Sequence, residues 1–218
     1  MANALLGSVL LVGAASLCAV PVGLLAAIYL AEYRARWMGA TVRFIGELLG
    51  GVPSIVIGIF AAVTVAVPTH LFGWAGSFAL GIMMLPIVLR ASEEALKLVP
   101  NSLRDASTAL GARRWQTIVS VVVPTALPAV TTAVFLAVAR IGGETAPLLL
   151  TAGDSRFWPK HFLNDYTASL PVYVFNYAKS AFHEQNRQAW AAAFVLLTLV
   201  MMLNVGVRIV SGRRKIRV

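Results

Sequence analysis

The chain has 218 residues, of which 59% are hydrophobic and 12% charged, with a mean hydropathy of +0.79 and a formal net charge of +9. Soluble domains carry about a quarter charged residues, so this composition excludes an ordinary soluble domain and points to an integral membrane protein. A nucleic-acid role would need a basic face with reading residues, and the basic residues here are instead divided among the connections between apolar stretches.

The first apolar stretch, about Ala4 to Leu30, lacks a basic leader and a convincing cleavage site and exceeds a signal peptide's apolar region, so it reads as a spanning helix. Its Cys18, the single cysteine, offers no disulfide or metal site and is expected to pack inertly. The second stretch, Leu48 to Val67, carries Gly50, Ser54, Gly58 and Ala62 at every fourth position, a smooth face that lets another helix approach closely. The third runs from Leu71 to Leu89.

From Ser92 to Gln116 the chain becomes too polar to cross a membrane. Ser102 and Asp105 have the spacing of a capping box, and Gly111 supplies a helix end. The expectation is a helix of about nine residues, a turn, and a second helix led by Arg113 and Arg114 that feeds the next span. A helix that short needs a packing partner.

The run from Trp115 to Gly153 is uncharged except for Arg140 and Glu144. As one straight helix its length would be about 58 Å, against roughly 30 Å of bilayer hydrocarbon. It is therefore expected to break at Pro124, Pro128 and Pro147, leaving a fourth span from Leu127 to Leu150. Counted from Leu127, Arg140 lies about 20 Å and Glu144 about 26 Å along, on one helical face. Charges at such depth are functional candidates by default. A guanidinium stays ionised and can give two parallel hydrogen bonds to a tetrahedral oxyanion. Glu144 could steady that ion or weaken its hold; the competing reading is a salt bridge that locks helices together. Gly142 and Gly143 beside the pair, with Pro147 depriving the Gly143 carbonyl of a donor, suggest a bend or unwound turn exposing backbone to an ion; the competing reading is an ordinary kinked span.

A fifth stretch runs from Gln188 to Val207. The five make an all-α, polytopic membrane domain spanning residues 1–218. His70, His161 and His183 have no ligand spacing, so no metal site is expected. Arg34, Arg36 and Arg43, then Arg90, Lys97, Arg104, Arg113 and Arg114, then Arg208, Arg213, Arg214, Lys215 and Arg217 fall on alternate connections. The opposite side has Arg156, Lys160, Lys179 and Arg187. The positive-inside rule makes the richer side cytoplasmic, with the N-terminus and residues 151–187 external and the C-terminus internal.

Asp105-Ala106-Ser107, three residues, Gly111, nine residues, Val121, one residue, Val123-Pro124 resembles the Glu-Ala-Ala pattern of permease subunits of ATP-driven importers. Asp replaces Glu, Ser the second Ala, and valines Ile and Leu. The stretches AAIYLAEY from Ala26, GGVPSIVIGIF from Gly50, MMLPIVLRASEEALKLVPNSLRDAS from Met83, ALGARRWQTI from Ala109 and ARIGGETAPLLLTAG from Ala139 are similar, nearly end to end, to phosphate importer permeases of the PstA type. An Arg with Gly-Glu also occurs in molybdate and sulfate permeases, which stay as the alternative; an autonomous anion channel is more remote.

The resemblance implies a type I importer (MetI-like) arrangement of five spans with a cytoplasmic coupling helix within residues 92–124, in a bacterial or archaeal cytoplasmic (inner) membrane. It implies that Arg104, Asp105, Ala106, Ala109, Gly111 and Arg113 meet an ATPase, Ala106, Ala109 and Gly111 allowing close approach and Arg104, Arg113 and Arg114 giving rim charges. It places Arg140, Gly142, Gly143, Glu144 and Thr145 on the substrate path. It further implies a second permease subunit of the PstC type, an ATPase dimer of the PstB type and an external phosphate-binding protein of the PstS type. This chain lacks Gly-x-x-x-x-Gly-Lys-Ser/Thr, so ATP and Mg are expected on the partner ATPase, with no cofactor or enzymatic activity here. Family members usually carry one more N-terminal span; this chain starts at what resembles their second, either naturally short or trimmed.

Overall fold

A computed structural model describes residues 1–33, 36–155, 157–158 and 164–213. Of the positions named above, Arg34, Arg156, Lys160, His161, Arg214, Lys215 and Arg217 lie outside the described residues, as do the side chains of Arg36, Arg208 and Arg213. The described chain consists of helices and connections, without strands. In chain order these are α1 (Ala2–Glu32), α2 (Arg36–Gly51), α3 (Ser54–Thr69), α4 (Phe72–Lys97), α5 (Asn101–Ala109), α6 (Arg114–Ile141), α7 (Ala146–Leu150), α8 (Leu170–Ala178) and α9 (His183–Arg213). Helices α1, α4, α6 and α9 are long and apolar enough to cross a membrane, and α2 with α3 makes a fifth candidate when counted as one bent span.

Helix α4 is the centre of the bundle. In its most apolar window 61% of residues are buried, against 11% in α9. Helix α1 lies along it through a stripe of mostly small residues, Leu11, Ala15, Ala19, Gly23 and Ala27, all buried, while Ala4 and Gly7 at its start pack against the 167–170 segment. Without a hydrophobic driving force between helices in lipid, such small residues let backbones approach closely enough for dispersion and packing to hold them. A Cβ on Gly23 would lie 3.0 Å from Val88 Cγ1 of α4. Leu80, Met84 and Val88 fill the interior with Leu11, Ala137 and Ile141 from α1 and α6. Trp190, Phe194, Leu197 and Met202 of α9 point away from the protein, as a lipid-facing helix requires.

The expected second span is cut in two. Helices α2 and α3 meet at 98°, where Val52 precedes Pro53, a pairing that disfavours the helical conformation. Leu48 to Gly51 belong to α2, and α3, at about 24 Å, is short for a span. The Gly50, Ser54, Gly58, Ala62 face is therefore interrupted by the bend. Gly58 is covered within the chain, since a Cβ there would come 2.7 Å from Pro147 Cα.

Pro124 and Pro128 do not break the fourth span. Proline lacks the N–H, and its ring presses on the carbonyl four residues back. Just ahead of Pro124, residues Ile118–Val122 open into a π-turn whose Val123 N–H reaches back to the Ile118 carbonyl, and the widened ladder accommodates the ring. Ala62–Ala66 does the same ahead of Pro68, with Val67 donating to Ala62. Helix α6 thus runs unbroken from Arg114 to Ile141 and stops at residues 142–145, followed by α7 with Pro147 in its first turn.

The polar segment differs in detail too. Helix α4 continues through Ser92 to Lys97, carrying residues expected in the connector, with Glu93 and Lys97 paired at i,i+4 (2.6 Å). Helix α5 has Pro100 at its N-cap position, two residues ahead of the expected Ser102, and no side chain caps it. Its end follows expectation: Gly111 has φ +85°, its N–H reaches the Thr108 carbonyl at 2.9 Å, and Ala112 N–H reaches Ser107 at 3.2 Å, a Schellman closure. Helix α8 is not among the expected elements; Ser169 stands just before it and Pro171 in its first turn, a start signal in a segment too short to show a helical period.

Gly58→Leu is expected to destabilise the purified chain by about 1–3 kcal/mol through overpacking against Pro147, read as a lower thermal midpoint in detergent. Gly51→Ala, with open space around its Cβ position, should leave the midpoint unchanged within error.

Candidate functional site

A cavity of about 730 Å³ lies where the bend between α2 and α3 faces α4 and the end of α6. Helix α4 contributes Met83, Pro86, Ile87, Arg90, Ala91 and Glu94, spacings that place all six on one helical face over about 16 Å of helix length. Helix α2 and the bend add Glu47 and Leu49 through Val52, α3 adds Ser54 and Ile57, and α6 with its following turn adds Arg140, Ile141 and Glu144. Two guanidiniums and three carboxylates thus share one cavity.

The two arginines differ. Arg90 is paired with Glu47 at 3.1 Å, tying α4 to α2. Arg140 is exposed and, among the described residues, forms no ion pair with Glu144 or any other carboxylate. The helix-locking salt bridge between these two is thus not formed. Helix α6 ends one residue after Arg140, where Gly143 N–H bonds Arg140 O at 3.3 Å and Glu144 N–H bonds Ile141 O at 3.1 Å, a tightened i→i−3 turn. That turn carries Glu144 onto the cavity wall. Gly142 keeps a right-handed helical conformation, φ −61°.

The remaining path residues separate from the pair. Gly142 and Gly143 line apolar grooves on the other side of α6, Gly142 facing α1 and α9 and Gly143 facing α8 and α9. Thr145 stands just before α7, its carbonyl accepting from Leu149 N–H at 3.1 Å. Arg90, Glu47 and Glu94 were not singled out as path residues from sequence. Arg90 and Glu94 lie at the polar end of an apolar stretch, where charge reads as topology. The signal that could have found them is the i, i+4 repeat of Pro86, Arg90 and Glu94 on one face.

In the polar segment, Asp105, Ala106, Ala109, Gly111 and Arg113 are exposed together around α5 and its closing turn, with Leu110 90% exposed beside them. A Cβ on Gly111 would meet nothing within 4 Å. Arg104 turns the other way. Its Nε and Nη2 donate to Glu32 Oε1 at 3.2 and 2.7 Å, Nη2 also to the Leu96 carbonyl at 3.1 Å, and Nη1 to the Val99 carbonyl and to Asn101 Oδ1. It is committed inside the chain and is not a free rim charge. Arg114 likewise donates to the Glu32 carbonyl and lies 4.9 Å from the centre of the Tyr33 ring. Ser107 Oγ meets Thr117 Oγ1 at 3.0 Å, joining α5 to α6.

Residues 19–216 match the family of binding-protein-dependent transport system inner membrane components. The chain is 42% identical to a phosphate transport system permease protein PstA of Yersinia pestis, over 99% of its own length and 73% of the relative's. It is 43% identical to one of Haemophilus influenzae, over 98% and 76%, and 38% identical to PstA 1 of Mycobacterium tuberculosis, over 98% and 72%. Among solved structures, the fold resembles a chain of the inward-facing MetNI methionine ABC transporter, with a TM-score of 0.74 at 18% identity, covering 98% of this chain and 93% of that one. A bacterial ABC transporter involved in alginate import gives a TM-score of 0.70 at 14% identity, over 98% and 79%. The chain belongs to the binding-protein-dependent transport system inner membrane component family, with the PstA permease proteins.

Proposed function

We propose that the chain is the multi-pass permease subunit of an ATP-driven inorganic phosphate importer of the inner membrane, supplying half of the translocation path. The identity to PstA proteins supports the substrate. The observation that carries the chemical reading is Arg140, an arginine without an ion pair among the described residues, set in the wall of a cavity large enough for a small-molecule ligand. Its guanidinium meets the anion in transit. The carboxylates beside it favour phosphate over sulfate or molybdate. They repel a fully ionised anion but accept a hydrogen bond from one that keeps a proton, as phosphate does near neutral pH.

In this reading α5 and the Gly111 turn form the coupling helix, with Asp105, Ala106, Ala109, Gly111 and Arg113 facing an ATPase dimer of the PstB type that holds ATP and Mg. A second permease of the PstC type completes the path, and a PstS-type protein delivers phosphate from outside. The chain itself catalyses no reaction. At one end of the bundle Glu32 holds Arg104 and Arg114, and Glu93 holds Arg43 and Lys97, while Asn3 binds the Ser155 carbonyl and Asp154 accepts from Asn176 at the other. This segregation supports a cytoplasmic arginine-rich end and C-terminus, with the N-terminus external. ATP closes the ATPase dimer, and its greater affinity for one permease state shifts the spans between inward and outward access.

Three outcomes follow for the complex reconstituted in liposomes. Uptake should require ATP and follow phosphate when phosphate, sulfate and molybdate are offered in turn; passive phosphate flux through the purified chain alone would refute the importer reading. Arg140→Gln should lower uptake about a hundredfold, the scale of a charge-assisted hydrogen bond of roughly 3 kcal/mol, while co-purification with the partner subunits persists. Gly111→Arg should abolish uptake and ATPase binding without preventing membrane insertion. Gly111→Asn, which tolerates the left-handed conformation, should retain most of both.

A further inference from the structure

Arg104 has five N–H donors, and the structure engages all of them: two on Glu32 Oε1, one each on the Leu96 and Val99 carbonyls and on Asn101 Oδ1, the last across 3.4 Å. Leu96 is in the last turn of α4 and Val99 just beyond its end, where carbonyls run short of helical donors and a cation is favoured; the Leu96 carbonyl otherwise accepts a long bond from Val99 N–H, 3.3 Å. Glu32 is the last residue of α1 and only 8% exposed, so its carboxylate needs a partner of opposite charge. One guanidinium of α5 therefore closes the ends of both α1 and α4. From the far side of the Gly111 turn, Arg114 takes the Glu32 carbonyl, so both limbs of this hairpin grip α1 at one residue.

We infer that Glu32 and Arg104 are positioning residues that make the α5 hairpin move as one body with α1 and α4, carrying its displacement to the cavity wall. This rests on the reading of α5 as the coupling helix. The route is short: Glu94 and Arg90, in the cavity wall, lie two and six residues before Leu96 on the same rigid helix. Any tilt of α5 either carries α4 with it or breaks hydrogen bonds that no other group replaces. A docking surface held by loops alone would let the ATPase close while the cavity stayed still. The brace touches neither the anion nor the ATPase face, so its loss affects transmission before it affects either contact.

The test uses the complex of the full chain with its partner permease, ATPase and phosphate-binding protein in liposomes, measuring ATP hydrolysis and phosphate uptake together. In Arg104→Lys the charge remains, but three donors cannot serve Glu32, Leu96, Val99 and Asn101 at once. In Glu32→Gln the acceptor oxygen remains without its charge. Both variants should assemble and hydrolyse ATP, with phosphate moved per ATP falling at least tenfold. The double variant should fall no further than the worse single one, because both remove one linkage. An unchanged ratio in both would overturn the inference, as would failure of both to assemble, which would assign the pair to folding. Normal ATPase binding by Gly111→Arg would instead refute the coupling reading itself.

Discussion

The close contact of α1 with α4 is the constraint on which the rest of the molecule depends. It exists because the α1 stripe is almost entirely alanine and glycine, with Gly23 meeting Val88 where no larger residue fits without displacement. In lipid that proximity replaces the hydrophobic drive of a soluble core. Because α4 is held so tightly on this side, its other faces are fixed in direction. One builds the cavity with Arg90 and Glu94, another meets α6, and its end receives Arg104.

The arginine-rich end of the bundle shows how one residue type carries two meanings. Arg43 and Lys97 both reach Glu93, at 2.7 and 2.6 Å, Arg90 reaches Glu47, and Arg104 reaches Glu32. Each of Glu32 and Glu93 is 8% exposed. Removing Arg104 leaves the Glu32 charge buried and uncompensated, at a cost of about 3–5 kcal/mol, whereas Glu93 keeps a second cation when either of its two is lost. Basic residues that read as topology signals by number thus also fasten helices by geometry, and the two roles need different positions on the same connections.

This double use explains what was legible in the sequence and what was not. The apolar stretches were legible because lipid demands long uncharged helices, and Arg140 with Glu144 because charge inside such a stretch has no bland explanation. Arg90 and Arg104 were hidden among residues already accounted for by topology; only tertiary structure distinguishes an arginine facing water from one spanning two helix ends. The 98° bend had a local signal in Gly50-Gly51-Val52-Pro53, yet hydropathy ran through it unchanged. The breaks expected at Pro124 and Pro128 failed for the opposite reason, while the one near Pro147 is present. The local rule at Pro124 was sound, but the ladder widened ahead of the ring instead of stopping.

The π-turn at Ile118–Val122 has a consequence far from its own position. It holds one more residue than the α-helical ladder would, so everything beyond it in α6 is rotated by about 100° relative to an uninterrupted helix. Arg140 lies eighteen residues downstream of Val122 on the same helix. The direction of its guanidinium is therefore set at the opposite end of α6, beside the Ser107 and Thr117 contact. Phase, as well as displacement, links the α5 hairpin to the cavity: an evolutionary change in the width of that one turn would re-aim the arginine with every residue around it unaltered.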